Sequence, residues 1–123
     1  MIYDRHRRGR AWEDAAARFL AAHGLTIVAR GYRCRLGELD IVCLDGEALV
    51  VVEVRARART LRGGAAETID WRKQQKIINA TRHFLMRNPH WFERALRFDV
   101  IAVDAIDTDE PQLHWLRSAF DGS

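Results

Sequence analysis

Two short acidic segments, Gly37-Glu-Leu-Asp40 and Glu53-Val-Arg55, stand out for the chemistry their side chains could perform. Side chains alternate along an extended strand, so Glu38 and Asp40 are expected on one face, and Glu53, Arg55 and Arg57 on one face of the next strand. Asp45-Gly46 between them is a strong hairpin signal. A turn there pairs Ile41 or Val42 with Leu49 or Val50 and leaves Asp40 and Glu53 diagonal to one another or gripping one ion. Carboxylates so placed repel and raise each other's pKa unless a cation lies between them. Mg2+ meets that need with carboxylates, carbonyls, waters and phosphate oxygens. Glu53 sharpens the argument because it interrupts the apolar run Leu49-Val-Val-Val-Glu-Val54, where an unpartnered charge is costly to bury. The competing reading makes these acids strand-end residues paired with neighbouring arginines. Arg55, one pleat along from Glu53, is such a partner.

The elements that must position these residues are legible from periodicity. Over residues 9–24, Trp12, Ala15, Ala16, Phe19, Leu20 and His23 form one stripe at 100° per residue, and Gly24 stands where a helix would stop. Residues 25–33, 36–44 and 48–57 read as three strands, the last two hairpin-paired and the third apolar on both faces, as a covered central strand requires. Residues 58–67 lack periodicity, contain Gly63-Gly64 and read as a mobile loop. Thr68 or Asp70 can cap a second helix that ends before Pro89, with Gln74, Ile77, Ile78, Thr81 and Leu85 on its buried stripe. A buried strand over 97–104, a turn over 107–111 and a short edge strand over 112–117 complete the order. The expectation is a single α/β domain over residues 1–123, α-β-β-β-α-β-β, with a mixed sheet flanked by helices and residues 1–8 a flexible basic arm.

Composition bounds the function. The chain of 123 residues is 48% hydrophobic and 30% charged, enough to build a core and too apolar for extended disorder. No apolar run approaches the ~20 residues of a membrane helix, and the charged start has no apolar stretch behind it. No membrane partner and a cytoplasmic compartment are therefore expected. Cys34 and Cys43 lack a metal-ligand or disulfide-framework spacing. The net charge of +3 hides a body of +8 over residues 1–98 and a tail of −5 over 99–123, and 18 of the 20 basic residues are arginine. Guanidinium forks suit phosphate contacts, so nucleic acid is the expected partner. GC-rich codon usage would produce the same arginine bias. A small-molecule enzyme finds no Gly-rich phosphate loop, nucleophile elbow or His/Cys dyad. The five scattered histidines suggest no site, and Trp12, Trp71, Trp91 and Trp115 read as core or interface residues.

The ordered set Gly9-x-x-x-Glu13, Gly37-Glu-Leu-Asp40-Ile-Val, Val52-Glu-Val-Arg55-x-Arg57, Gly63-Gly-Ala, Arg72-Lys-Gln-x-Lys76, Arg97-Phe-Asp-Val and Ser118-Ala-Phe120 resembles the YraN family of small bacterial proteins. The match spans residues 8–120. That family is similar in turn to the PD-(D/E)xK nucleases, especially archaeal Holliday-junction resolvases, so the resemblance implies a restriction-endonuclease-like fold. It further implies that Asp40 and Glu53 hold Mg2+ or Mn2+ together with the Val54 carbonyl. Arg55 stands in the superfamily's lysine position, Glu13 matches the glutamate of the first helix that often completes the site, and Gln74 matches a polar position on the second.

The implied activity is metal-dependent hydrolysis of DNA phosphodiesters, with branched or repair intermediates as the substrate suggested by the resolvases. Arg55 can orient a water or stabilise charge but cannot act as a base, because guanidinium stays protonated. Arg57, Arg59 and Arg62, with Lys73 and Lys76 beyond, are the expected nucleic-acid contacts, and a homodimer is compatible with the chain. The alternative is a nuclease-fold module that binds nucleic acid or a protein partner with little or no catalysis, in which Glu53 and Arg55 are a structural ion pair.

Overall fold

The computed structural model describes residues 5–56, 69–104, 106 and 108–122. Helix α1 (Arg5–Ala22) leads into β1 (Thr26–Cys34), β2 (Gly37–Asp45) and β3 (Ala48–Ala56); α2 (Trp71–Arg87) and one 3-10 turn (Pro89–Trp91) precede β4 (Leu96–Asp104) and β5 (Gln112–Phe120). The expected order is present. α1 begins at Arg5, so residues 5–8 of the expected flexible arm are helical backbone. At its other end Gly24 N–H donates to the Ala21 carbonyl and Leu25 N–H to the Leu20 carbonyl, the paired bonds that close a helix while Leu20 and Leu25 are buried together. Asp70 caps α2 by accepting the Lys73 backbone N–H at 2.8 Å, and Asn88 ends the helix before Pro89. The expected loop over residues 58–67 lies outside the described residues.

The five strands stand side by side in chain order, antiparallel except for β3 and β4, which are parallel and joined through α2. This is a single small α/β domain with a mixed sheet. Two apolar layers cover it. Ala16, Leu20, Val50, Val52, Ile101 and Val103 fill the α1 side, and Val42, Leu49, Val51, Ile77, Phe84 and Phe98 fill the α2 side. The run from Leu49 to Val52 is buried on both faces, as its lack of alternation requires. Gly37 lets α2 approach β2: a Cβ there would lie 2.9 Å from the Lys76 carbonyl oxygen. Among the described residues, no helix is long and apolar enough to cross a membrane.

The hairpin register differs by one to three residues from the sequence expectation of Ile41 or Val42 against Leu49 or Val50. Ile41 pairs with Val52 and Val42 with Val51, because the turn is made by Gly46 and Glu47 while Asp45 remains in β2 opposite Ala48. Asp45 is held there by the Arg97 guanidinium of β4, 2.9 Å from its Oδ2. Continued one step past Ile41 and Val52, this register puts Asp40 opposite Glu53.

Candidate metal and phosphodiester site

Glu38 and Asp40 line one cleft, but the regular alternation expected of β2 breaks between them. Leu39 packs in the layer beneath α2 and Ile41, two residues on, in the layer beneath α1, so β2 reverses its faces at Asp40. Across from it Arg30 pairs with Ile41 and Tyr32 with Leu39, which leaves Gly31 opposite Asp40. Gly31 has φ +61°, a left-handed conformation that turns the strand pair about its axis. Asp40 therefore points into the seam beside β3, where its Oδ2 accepts the Val54 N–H at 2.9 Å. The β2–β3 ladder ends at Ile41 and Val52, so a side chain replaces the next backbone partner. A strand residue's N–H and C=O face the same neighbour, so the Val54 carbonyl points toward the same seam.

Glu53 shares the α2-facing side of β3 with Leu49 and Val51 and is 5% exposed. Its carboxyl lies within hydrogen-bonding reach of that of Asp40, an interaction that raises Glu53 and lowers Asp40. Burial, then the charge of Asp40, pushes Glu53 up to about 8. Burial also raises Asp40 above the ordinary carboxylate range, against the lowering effect of the Val54 N–H. Two cations reach the same Glu53 oxygen: Lys73 Nζ at 3.6 Å and Arg55 Nη1 at 3.9 Å.

On the α1 side a cleft of about 830 Å3 opens over Asp40, lined also by Trp12, Glu13, Arg30, Glu38 and Val54. Burial first, and the neighbouring Asp40 second, raise Glu13 from its ordinary value, while Arg30, 3.4 Å from its Oε1, pulls it back. Arg30 also bonds Asp14, and Arg33 lies 3.5 Å from the exposed Glu38. The Trp12 indole N–H is buried at this cleft with no hydrogen-bond partner among the described residues. The structure thus brings Asp40 and Glu53 into contact, puts Glu13 beside Asp40, and sets Arg55 against Glu53.

Gln74 is not part of this cluster by hydrogen bonding. Its side chain donates to the Ile69 carbonyl at 3.2 Å and ties down the start of α2. Lys73, expected as an outlying phosphate contact, takes the inner position instead. The reason is helical phase: the Asp70 cap aims residue 73 across the end of β3, and Gln74 comes one-quarter turn later. Lys76 is exposed, and Arg57, Arg59 and Arg62 lie outside the described residues. A second buried acid had no role assigned from sequence. Asp99 is fully buried and accepts Arg97 Nε at 2.9 Å and Nη2 at 3.0 Å, Trp115 Nε1 at 2.9 Å and Ser118 N at 2.9 Å. Its only sequence signal was the motif Arg97-Phe-Asp-Val.

Residues 12–103 match the profile of "Uncharacterised protein family UPF0102". A UPF0102 protein of Pseudomonas fluorescens Pf-5 is 48% identical over 113 residues, covering 92% of each chain. Another, from Pseudomonas aeruginosa LESB58, is 44% identical over 115 residues, 93% of this chain and 92% of its own. A third, from Pseudomonas syringae pv. syringae B728a, is 42% identical over 117 residues and 95% of each. With the profile covering both carboxylate strands and α2, and relatives at this identity over nearly the full length, the chain belongs to the UPF0102 family, the family of YraN.

Proposed function

We propose that this protein is a divalent-metal-dependent nuclease that hydrolyses DNA phosphodiesters. The observation that carries the reading is the buried contact of Asp40 with Glu53 at the seam where β2 and β3 part. Two carboxyl groups in contact in a low-dielectric seam raise each other's pKa, and a cation placed between them can take the place of the proton that burial favours. Among the described residues no cluster of three or more His, Cys, Asp or Glu could cage an ion. The donor set fits Mg2+ or Mn2+, because Mg2+ is commonly held by one or two carboxylates plus waters and phosphate oxygens. Asp40 and Glu53 would hold it, with the Val54 carbonyl on the same side. Bound there, the ion would supply Lewis-acid charge and lower the pKa of a coordinated water.

The chain's own residues do the rest. The Val54 N–H fixes the Asp40 carboxylate, and Arg30 restrains Glu13 at the cleft wall. Arg55 stabilises negative charge without exchanging a proton. The basic residues expected along residues 55–62 and on α2 would neutralise phosphates, giving a log affinity for duplex that falls against log salt by about 0.9 per phosphate contacted. Among the described residues no element resembles a base-reading helix, so recognition rests on backbone and shape. Branched substrates enter this reading only through the likeness to resolvases.

The paired contacts of Lys73 and Arg55 with Glu53 favour a second reading, a nucleic-acid-binding module in which these groups are a structural ion cluster. Two measurements separate them: calorimetric titration with Mg2+ and Mn2+, and cleavage of labelled duplex, flap and four-way-junction DNA, each for wild type, Asp40→Asn and Glu53→Gln. Metal heat and cleavage that both disappear in the variants support the nuclease. A wild type that binds DNA in EDTA but neither takes up metal nor cuts leaves only the binding module.

A further inference from the structure

The resemblance puts the site's lysine at position 55, where this chain has an arginine, yet a lysine reaches the carboxylates from another element. Lys73 Nζ lies 3.6 Å from Glu53 Oε1, slightly nearer than the Arg55 guanidinium at 3.9 Å. Its backbone is fixed: Asp70 Oδ1 accepts the Lys73 N–H at 2.8 Å, the Asp70 carbonyl accepts the Gln74 N–H at 3.0 Å, and the Gln74 side chain holds the carbonyl of buried Ile69. The side chain is 38% exposed, so the ammonium meets solvent as well as the buried acid. Glu13, Asp40, Glu53 and Lys73 therefore run in a line across the end of the sheet from α1 to α2, each next to the one before it. An ammonium has three donors, and one directed at Glu53 leaves two for a ligand.

We propose that Lys73 is the catalytic cation of this site, holding Glu53 with one N–H and a non-bridging oxygen of the scissile phosphate with another. The proposal rests on the nuclease reading. In that reaction the oxygen of water bonds to phosphorus as the bond to the leaving sugar oxygen breaks. The attacking water gives its proton to solvent and the leaving oxygen takes one from solvent. Lys73 keeps all its protons and opposes the charge that accumulates on the equatorial oxygens, a form of stabilisation set up before the reaction begins. The site's lysine has moved from strand to helix, and Arg55 beside it is a second, non-essential positive charge.

The test uses the full-length protein and labelled flap or four-way-junction DNA. Single-turnover cleavage at saturating protein with Mn2+ and DNA affinity in EDTA are measured for wild type, Lys73→Met, Lys73→Arg and Arg55→Met. A catalytic Lys73 gives a rate at least about 100-fold lower in Lys73→Met, by analogy with loss of one oxyanion donor. DNA affinity in EDTA should stay within about threefold, since one phosphate contact is a small share of the electrostatic footprint. Lys73→Arg should recover most of the rate, and Arg55→Met should lose much less than Lys73→Met. A Lys73→Met protein that weakens binding in EDTA about tenfold and cuts at the normal rate once saturated makes Lys73 a phosphate clamp and overturns the proposal. So does an unchanged rate with a lowered melting temperature, the mark of a structural pair. If Lys73→Met does not fold, the rank of Lys73→Arg and Arg55→Met decides: a larger loss in Arg55→Met sinks the proposal. Wild type that cuts no DNA with Mg2+ or Mn2+ removes the nuclease reading itself, an outcome visible before any variant is made.

Discussion

Two aspartates lie at nearly the same level of the sheet on β2 and β4, with β3 between them, each at a place where strand pairing is irregular, and their surroundings differ. Asp99 lies where the β4–β5 register shifts between Phe98 and Val100, opposite a strand in which Ser118 has φ 51°. It accepts both nitrogens of the Arg97 fork, an indole N–H and a backbone N–H. Asp40 lies where β1 and β2 reverse their faces, and receives one backbone N–H and the contact of another acid. Even the tryptophans differ: Trp115 gives its N–H to Asp99, while that of Trp12 finds no partner among the described residues. A buried charge with its donors in place is a structural joint. One whose nearest neighbour is a second carboxyl group, beside an open cleft, has been left for something the fold itself does not provide.

The sharpest break in that comparison is a pair of substitutions. Asp99→Ala leaves the Arg97 guanidinium facing a vacated seam and should cost about 3–5 kcal/mol, the range for removing one partner of a buried pair. Asp40→Asn removes a charge that the fold opposes, so the unfolding free energy should stay the same or rise. Urea unfolding of both at neutral pH checks the contrast. Equal losses at the two sites would end the distinction between joint and functional cleft.

The elements were legible because their signals are local. The stripe from Trp12 to Leu20, the Asp70 cap and the doubly buried run after Ala48 act over a few residues, and each has the predicted outcome. The errors lie where distant residues decide. The Arg97 fork, 52 positions away, holds Asp45 in β2, and the register that results sets Asp40 opposite Glu53 rather than diagonal to it. Likewise, the left-handed Gly31 opposite Asp40 breaks the alternation of β2, and only the folded pairing of β1 with β2 sets it there. On α2 the structure sets Lys73 against Glu53 and turns the Gln74 amide to the Ile69 carbonyl, because the apolar stripe marks what is buried, not which flanking residue reaches across to a neighbouring strand. β5 runs to Phe120 rather than ending at 117, since the bulge opposite Phe98 and Val100 absorbs Ser118 and lets pairing resume.

The comparison also has a pH signature. With Glu53 raised from its ordinary 4.5 to about 8, the folded protein holds a proton that the unfolded chain has released. Its contribution to stability is complete below about pH 4.5 and is lost as pH rises through about 8. Between pH 5 and 8.5 wild type should therefore lose about 2 kcal/mol, less than the full linkage value because Glu53 and Asp40 titrate together. Glu53→Gln should flatten the curve. Unfolding midpoints in urea at half-unit pH steps measure both, and a wild-type slope that persists in Glu53→Gln would assign the titration elsewhere.

The smallest expected effect tests what aims Asp40. Gly31 lies opposite it with φ +61°, and a Cβ there would meet no atom within 4 Å, so a side chain is opposed by backbone conformation alone. Gly31→Ala should then cost about 1 kcal/mol, the usual price of a left-handed alanine. That loss is too small to unfold the domain, yet it acts where the strands turn over. If the turn directs Asp40 to the Val54 N–H, any relaxation of Gly31→Ala toward regular strand geometry weakens that bond, and protection of the Val54 amide against hydrogen exchange falls more than that of Val52. The two amides belong to one strand, and Val52 lies within the β2–β3 ladder, so global destabilisation lowers both together. A uniform decrease would mean that Asp40 is held by its contact with Glu53, and that the reversal of faces is an accident of the β1–β2 turn rather than the device that opens the site.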